Sequence, residues 1–198
     1  MNNDLKKIND NPLHIRYIQN PSEELILEAV KKNGIAIKYI NNPSEIVKEI
    51  AIKNNPLAVE YIDQLSEENA ISAVRLLWNS LKYIKNASEA VKIEAVKTKG
   101  WAIQYIDNPT EEMQLIAVSK DFDAIRYIKN PTEKVQLEAI KNYWAAIKFI
   151  DKPSLEARRA AVKENEEAIN YIHYEIKDLS LLISDNIKIV KYIIDALT

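Results

Sequence analysis

The stretch Ile37-Lys38-Tyr39-Ile40-Asn41-Asn42-Pro43-Ser44-Glu45 decides how this chain folds, because its parts recur along the whole sequence. An apolar residue, a polar residue, an aromatic ring and Ile return nine times, with the ring at Tyr17, Tyr39, Tyr61, Tyr83, Tyr105, Tyr127, Phe149, Tyr171 and Tyr192. Seven of the eight spacings are 22 residues and the last is 21. A repeat this short predicts a stacked array in which each unit buries its apolar face against its neighbours.

Outward from that phrase, Asn-Pro-Ser-Glu at residues 20–23 and 42–45 marks the start of a helix. Two caps fit. Asn20 or Asn42 can cap with Pro in the first helical position, and Glu23 or Glu45 then completes a capping box; alternatively the Ser after the Pro caps. Val47, Ile50 and Ala51 have the spacing of a buried helical stripe, about three turns long. Gly34 and Gly100 are expected to close two of these helices in the left-handed conformation. The ring phrase then forms a second helix of about one or two turns, too short to persist without packing. Ala29, Ala51, Ala73, Ala95, Ala117, Ala139 and Ala161 hold one helical position, and a methyl group there allows close approach of neighbouring helices. The sequence predicts an all-α fold: a right-handed α-solenoid of about eight to nine 22-residue units. It is expected to form a single helical repeat domain over residues 1–198, with partial capping units at 1–13 and 185–198. Asp185, in place of a helix-ending Lys, marks the second of these.

Composition excludes several classes. With 47% hydrophobic and 28% charged residues, the chain of 198 residues has the balance of an ordinary globular protein. It has no cysteine, which rules out disulfides, iron–sulfur clusters and cysteine-ligated zinc and fits a reducing compartment. The start Met1-Asn2-Asn3-Asp4-Leu5 lacks the apolar run of a signal peptide and no stretch is apolar enough to span a bilayer, so a cytoplasmic protein with no membrane partner is expected. A net charge of −2 gives no global attraction to nucleic acid.

The unit Asn-Pro-Ser-Glu…Ala-Val-Lys…Gly…Ala-Ile-x-Tyr-Ile resembles the short helical repeats of uncharacterised bacterial and phage proteins. It is also similar to variant leucine-rich repeats and, more distantly, to HEAT-like repeats. The resemblance covers nearly the whole chain. It implies a helical scaffold that binds a partner, one version being a phage-type inhibitor of a bacterial enzyme or defence complex.

Four sets of residues are candidates for function. The rings of the repeat could be a stacking platform for bases or sugars, or core-edge residues packed between units; the second reading is favoured, since a residue present in every unit serves the stack. Acidic residues at the first turn (Glu23, Glu45, Glu67, Glu89, Glu111, Glu133) and basic ones at the last (Lys31, Lys53, Arg75, Lys97, Lys141, Lys163) complement the helix dipole without a ligand. The residue before each ring is basic at Arg16, Lys38, Lys82, Arg126, Lys148 and Lys191, a stripe that could track phosphates, although Glu60 interrupts it. The four residues expected between the two helices vary most and carry all three tryptophans. Trp78, Trp101, Phe122, Tyr143 and Trp144 there are the favoured partner-binding residues, with Leu76 and Leu77 beside them; the alternative is a local widening of the core.

Catalysis has little support. The two histidines, His14 and His173, lie far apart, and two glycines cannot build a phosphate loop. No cofactor or metal is expected. The sequence therefore favours a non-enzymatic scaffold whose partner is another protein, with nucleic acid along the basic stripe as the alternative and self-association through the aromatic patch as a third.

Overall fold

Each long helix after the first begins at a hydroxyl. Ser22, Ser44, Ser66, Ser88, Thr110, Thr132 and Ser154 sit in extended backbone, and each side chain accepts a hydrogen bond from the amide three residues on. The acidic first-turn residues are therefore the first helical residues and no capping box forms, which corrects the Asn-cap alternative. Asn20, Asn42, Asn86, Asn108 and Asn130 instead take the left-handed conformation, with φ between 49° and 52°. Asn tolerates that region better than other non-Gly residues, so it turns the chain into each cap. Replacing Thr110 by Ala should cost about 1 kcal/mol, measured by urea unfolding.

The computed structural model describes residues 3–172. They form eight pairs, each an α-helix followed by a six-residue 3₁₀ helix. The α-helices are α1 (Asn3–Asp10), α2 (Glu23–Lys32), α3 (Glu45–Asn54), α4 (Glu67–Leu76), α5 (Glu89–Thr98), α6 (Glu111–Lys120), α7 (Glu133–Asn142) and α8 (Leu155–Glu164). Their 3₁₀ partners are Pro12–Tyr17, Gly34–Tyr39, Pro56–Tyr61, Trp78–Tyr83, Gly100–Tyr105, Phe122–Tyr127, Trp144–Phe149 and Glu166–Tyr171. No strand occurs among the described residues. These regular pairs of about 22 residues make an all-α solenoid fold. The ninth ring, Tyr192, and the expected capping unit at 185–198, with Asp185 and Lys191, lie outside the described residues, as does His173.

Packing divides the chain into Met1–Ile106 and Asp107–Thr198. The first unit holds the pairs of α1 to α5 and the second those of α6 to α8. Both are built alike. The helical alanines from Ala29 to Ala161 are all at 0% exposure, and the next residue (Val30, Ile52, Val74, Val96, Val118, Ile140 or Val162) is buried beside each. On the 3₁₀ helices Ala36, Ala58, Ser80, Ala102, Ala124, Ala146 and Ala168 are equally closed, with Ile37, Ile103, Ile125 and Ile147 next to them. Within each unit, small residues at both contact lines let each pair sit close to the next, and the branched side chains fill the space between.

No four-residue turn separates the two helices of a pair. One extended residue ends the α-helix and caps the 3₁₀ helix: Asn33, for example, donates its amide to the Ala29 carbonyl while its side chain accepts from the Ile35 amide. The glycines are not left-handed closers either, since no glycine has positive φ. Gly34 opens its 3₁₀ helix against α3, where an added Cβ would lie 2.2 Å from the Ala51 carbonyl oxygen. Close backbone approach, not backbone conformation, demands a glycine there. Asn54 fixes this approach: its Oδ1 accepts from the Gly34 amide at 2.6 Å and its Nδ2 donates to the Lys31 carbonyl at 2.8 Å.

One helical position ties the connectors. Gln114 and Gln136 donate Nε2 back to the carbonyls of Pro109 and Pro131 at 2.9 and 3.0 Å. Where Asn is absent from the following connector, the same position also reaches forward: Lys48 donates to the Gln64 carbonyl at 2.8 Å, and Gln136 accepts from the Ser154 amide at 2.8 Å. Lys48 also donates to Glu45 at 2.7 Å, and that ammonium holds the Glu45 carboxyl below its usual range.

Candidate functional site

The ring phrase lies on the outer edge of the 3₁₀ helices. In Gly34–Tyr39, Ala36 and Ile37 turn inward while Lys38 and Tyr39 turn out, and the following Ile40 returns the chain to extended backbone and is buried. Tyr61, Tyr83, Tyr105 and Phe149 are half-buried, whereas Tyr17, Tyr39, Tyr127 and Tyr171 are exposed. The rings thus stand further out than the core-edge expectation placed them. The helix is 3₁₀ rather than α, and Tyr is its last residue, so the ring projects past the contact line.

The basic stripe does not stand apart from these rings. Lys38 Nζ lies 5.0 Å from the centre of the Tyr61 ring, Arg126 lies 4.1 Å from that of Phe149 and Lys148 Nζ 4.0 Å from that of Tyr171. Each cation covers the ring of the next pair. Arg16 bonds the hydroxyl of Tyr17, and the nearby hydroxyls of Tyr39 and Tyr17 keep its proton held more tightly than usual. Lys82 covers the ring of Tyr83 in its own pair at 5.4 Å. Contacts of this kind contribute about 0.5–1 kcal/mol each when exposed. Within each unit, residues of two rows that are separate in the sequence therefore meet as cation–ring pairs, and all five basic side chains remain exposed. Asp123 sits 3.9 Å from Arg126 and offsets part of its charge.

Within each unit the variable aromatic residues meet these rings from the first turn of the 3₁₀ helices, or, for Tyr143, from the extended residue that caps one. In the first unit Trp78 stacks on Tyr105, with centroids 6.0 Å apart and planes at 22°, and Lys99 lies 5.1 Å over Trp101. In the second unit Trp144 meets Tyr171 at 6.4 Å, Tyr143 at 5.9 Å and Lys148 at 5.2 Å. Phe122 meets the edge of Tyr143 at 4.8 Å, which closes the cluster. The tryptophans and Phe122 are half-buried, and Tyr143 is 47% exposed. Neither expectation describes them fully: each tryptophan is packed in part, with area left for solvent. Leu76 is 54% exposed and Leu77 is half-buried.

Of the five aromatic candidates, Phe122, Tyr143 and Trp144 come together in the second unit, while Trp78 and Trp101 belong to the first. Sequence reasoning missed Tyr105 and Tyr171 as partners of the tryptophans. The signal was present, since Trp78 and Trp144 each precede their tyrosine by the same interval of 27 residues.

The end-of-helix charges sit where the dipole favours them, and Arg75 bridges to Glu94 of the next helix at 2.7 Å, which holds the Glu94 carboxyl low. His14 packs against Tyr17 at 5.4 Å. Among the described residues no group of three or more His, Asp or Glu is arranged to hold a metal ion, and no helix is long and apolar enough to cross a membrane.

Comparison with known proteins gives one family match. A family model described as a domain of unknown function (DUF4116) matches residues 22–65. That segment runs from the cap of α2 to the residue before the cap of α4, so it comprises two whole helix pairs. No curated protein and no solved structure matches the chain.

Proposed function

We propose that this chain is a non-enzymatic scaffold that binds another protein through the aromatic residues of its 3₁₀ helices. The cluster Phe122–Tyr143–Trp144–Tyr171, with Lys148 across two of its rings, carries the proposal. Tyr, Trp and Arg dominate interface energetics, and anchors already packed against neighbours lose little freedom on binding. Arg126 and Asp123 supply polar groups in the same helix pair as Phe122, as expected of an interface rim. Trp78 and Trp101 extend the same chemistry in the first unit. The likeness to bacterial and phage repeats extends the reading to an inhibitor of a bacterial enzyme or defence complex.

The Tyr143→Ala/Trp144→Ala double variant should retain its helical circular dichroism and lose at least about thirtyfold in partner affinity, as measured by capture from a host lysate and titration of the captured protein. Undiminished capture sinks the reading, and so does a collapse of helicity, which would make these rings core.

A second reading rests on the exposed cations Arg16, Lys38, Lys82, Arg126 and Lys148, whose ring partners could also stack bases. It ranks lower because Glu60 interrupts the row and Asp123 faces Arg126. Under this reading affinity for a single-stranded probe would fall steeply between low and moderate salt, and Lys38→Glu and Lys148→Glu would flatten that dependence. Protein capture insensitive to salt would exclude it.

A further inference from the structure

The position that ties the connectors is Ile at residue 26 and long and polar at Lys48, Lys92, Gln114, Gln136 and Arg158, but it is Ala at residue 70. A cavity of about 250 Å³ opens above Ala70, between the connector that precedes α4 and the connector that precedes α5. This is far more than the roughly 30 Å³ that one water occupies in the liquid. Tyr83, Ile84 and Val91 give it an apolar wall, and its polar groups follow from the repeat.

In α3 the Lys48 ammonium is held by Glu45, three residues before it, with the side chain only 10% exposed. The counterpart of Glu45 is Glu67, three residues before Ala70, and Glu67 lines the cavity. In α6 and α7 the same position donates to the carbonyl five residues earlier. The counterpart of that carbonyl belongs to Leu65, which also lines the cavity. The forward bond does not carry over: Asn86 is left-handed where its counterpart Gln64 is not, so its carbonyl is aimed differently. Glu60, Asp63 and Glu67 face a single cation, Lys85, which itself pairs with Asp63 at 3.9 Å at the exposed rim. The lining therefore carries an excess of negative charge.

We infer that this cavity is a binding site for a primary alkylammonium group, placed where the lysine side chain stands one pair earlier. Glu67 accepts from the ammonium, the Leu65 carbonyl takes a second N–H, and the methylenes lie against Tyr83 and Ile84. The chemistry is shared by a small free amine and by a lysine side chain of a partner protein. The site is separate from the aromatic cluster and does not rest on the function proposed above.

The test titrates the full chain with n-butylammonium chloride and follows the backbone amide resonances of Glu67, Ala70 and Ser88. Saturable shifts are expected with butylammonium and none with butanol or with sodium chloride at equal ionic strength. Ala70→Lys should supply its own ammonium, raise the midpoint of thermal unfolding by about 2–4 °C and abolish the response. If that variant does not fold, Glu67→Gln decides, with an expected loss of at least fivefold in affinity. A linear response matching sodium chloride, or unchanged affinity in Glu67→Gln, overturns the site. Nα-acetyl-lysine amide separates the sources: affinity equal to butylammonium assigns the site to a protein lysine, and tenfold weaker affinity assigns it to a free amine.

Discussion

An Ile140→Ala variant should lose about 2–5 kcal/mol of unfolding free energy in denaturant titrations, while a neighbouring exposed control, Lys141→Ala, should stay within about 0.5 kcal/mol of the parent. Ile140 is 1% exposed on α7 beside the fully buried Ala139. Its branched side chain fills space that the lines of small residues on the α-helices and the 3₁₀ helices leave open. Neighbouring pairs cannot collapse into the void without breaking those close lines, so the cost should fall in the upper part of the range. The effect should also exceed that of Trp144→Ala, despite the larger ring lost there, because Trp144 is only half-buried. Equal losses for the two would mean that the aromatic cluster contributes as much to the fold as the core does.

Gly34→Ala should be nearly as damaging, by about 1–3 kcal/mol, although it adds only one methyl group. The new carbon would sit 2.2 Å from the Ala51 carbonyl oxygen and 3.0 Å from the Asn55 nitrogen, both backbone atoms with no rotamer to yield. Relief requires the 3₁₀ helix to move away from α3, which stretches the 2.6 Å bond from the Gly34 amide to Asn54. A double-mutant cycle with Asn54→Ala should therefore show coupling, since the two changes relax the same contact. Pro56 and Trp78 occupy the same register, and their helices pack less closely on α4 and α5 than Gly34–Tyr39 packs on α3. If Gly34→Ala unfolds like the parent, pair spacing is free to adjust and the Asn54 clamp does not set it.

The period and the buried alanines were legible in the sequence because each is a repeated choice with one physical cause. The cap was legible only as an alternative, since Asn and Ser both satisfy a helix start; left-handed backbone at Asn20 and its counterparts leaves the task to Ser or Thr. The glycines misled because a small residue after a helix fits two causes, and close approach can be seen only once α3 is placed. The ring positions were misjudged by assigning α geometry to a segment that is 3₁₀. For the candidate site, residue identities were readable and their grouping was not. Trp144 lies beside Tyr171 because the neighbouring pair brings that ring across, and no spacing within one unit reveals such a contact. The short side chain at Ala70 was legible in its column, but the space beside it was not, since an opening also lies by the long Lys48 one pair earlier.

The residue that ends one helix while capping the next, as Asn33 does, has a consequence for how this chain can change in length. An inserted or deleted amino acid at that joint would misalign one half of a rung with the other, so small indels there should be lethal to the fold. Cuts placed just before successive cap hydroxyls avoid the joint. Whole rungs could be spliced in or excised at those boundaries, giving ladders of different reach from one genetic cassette.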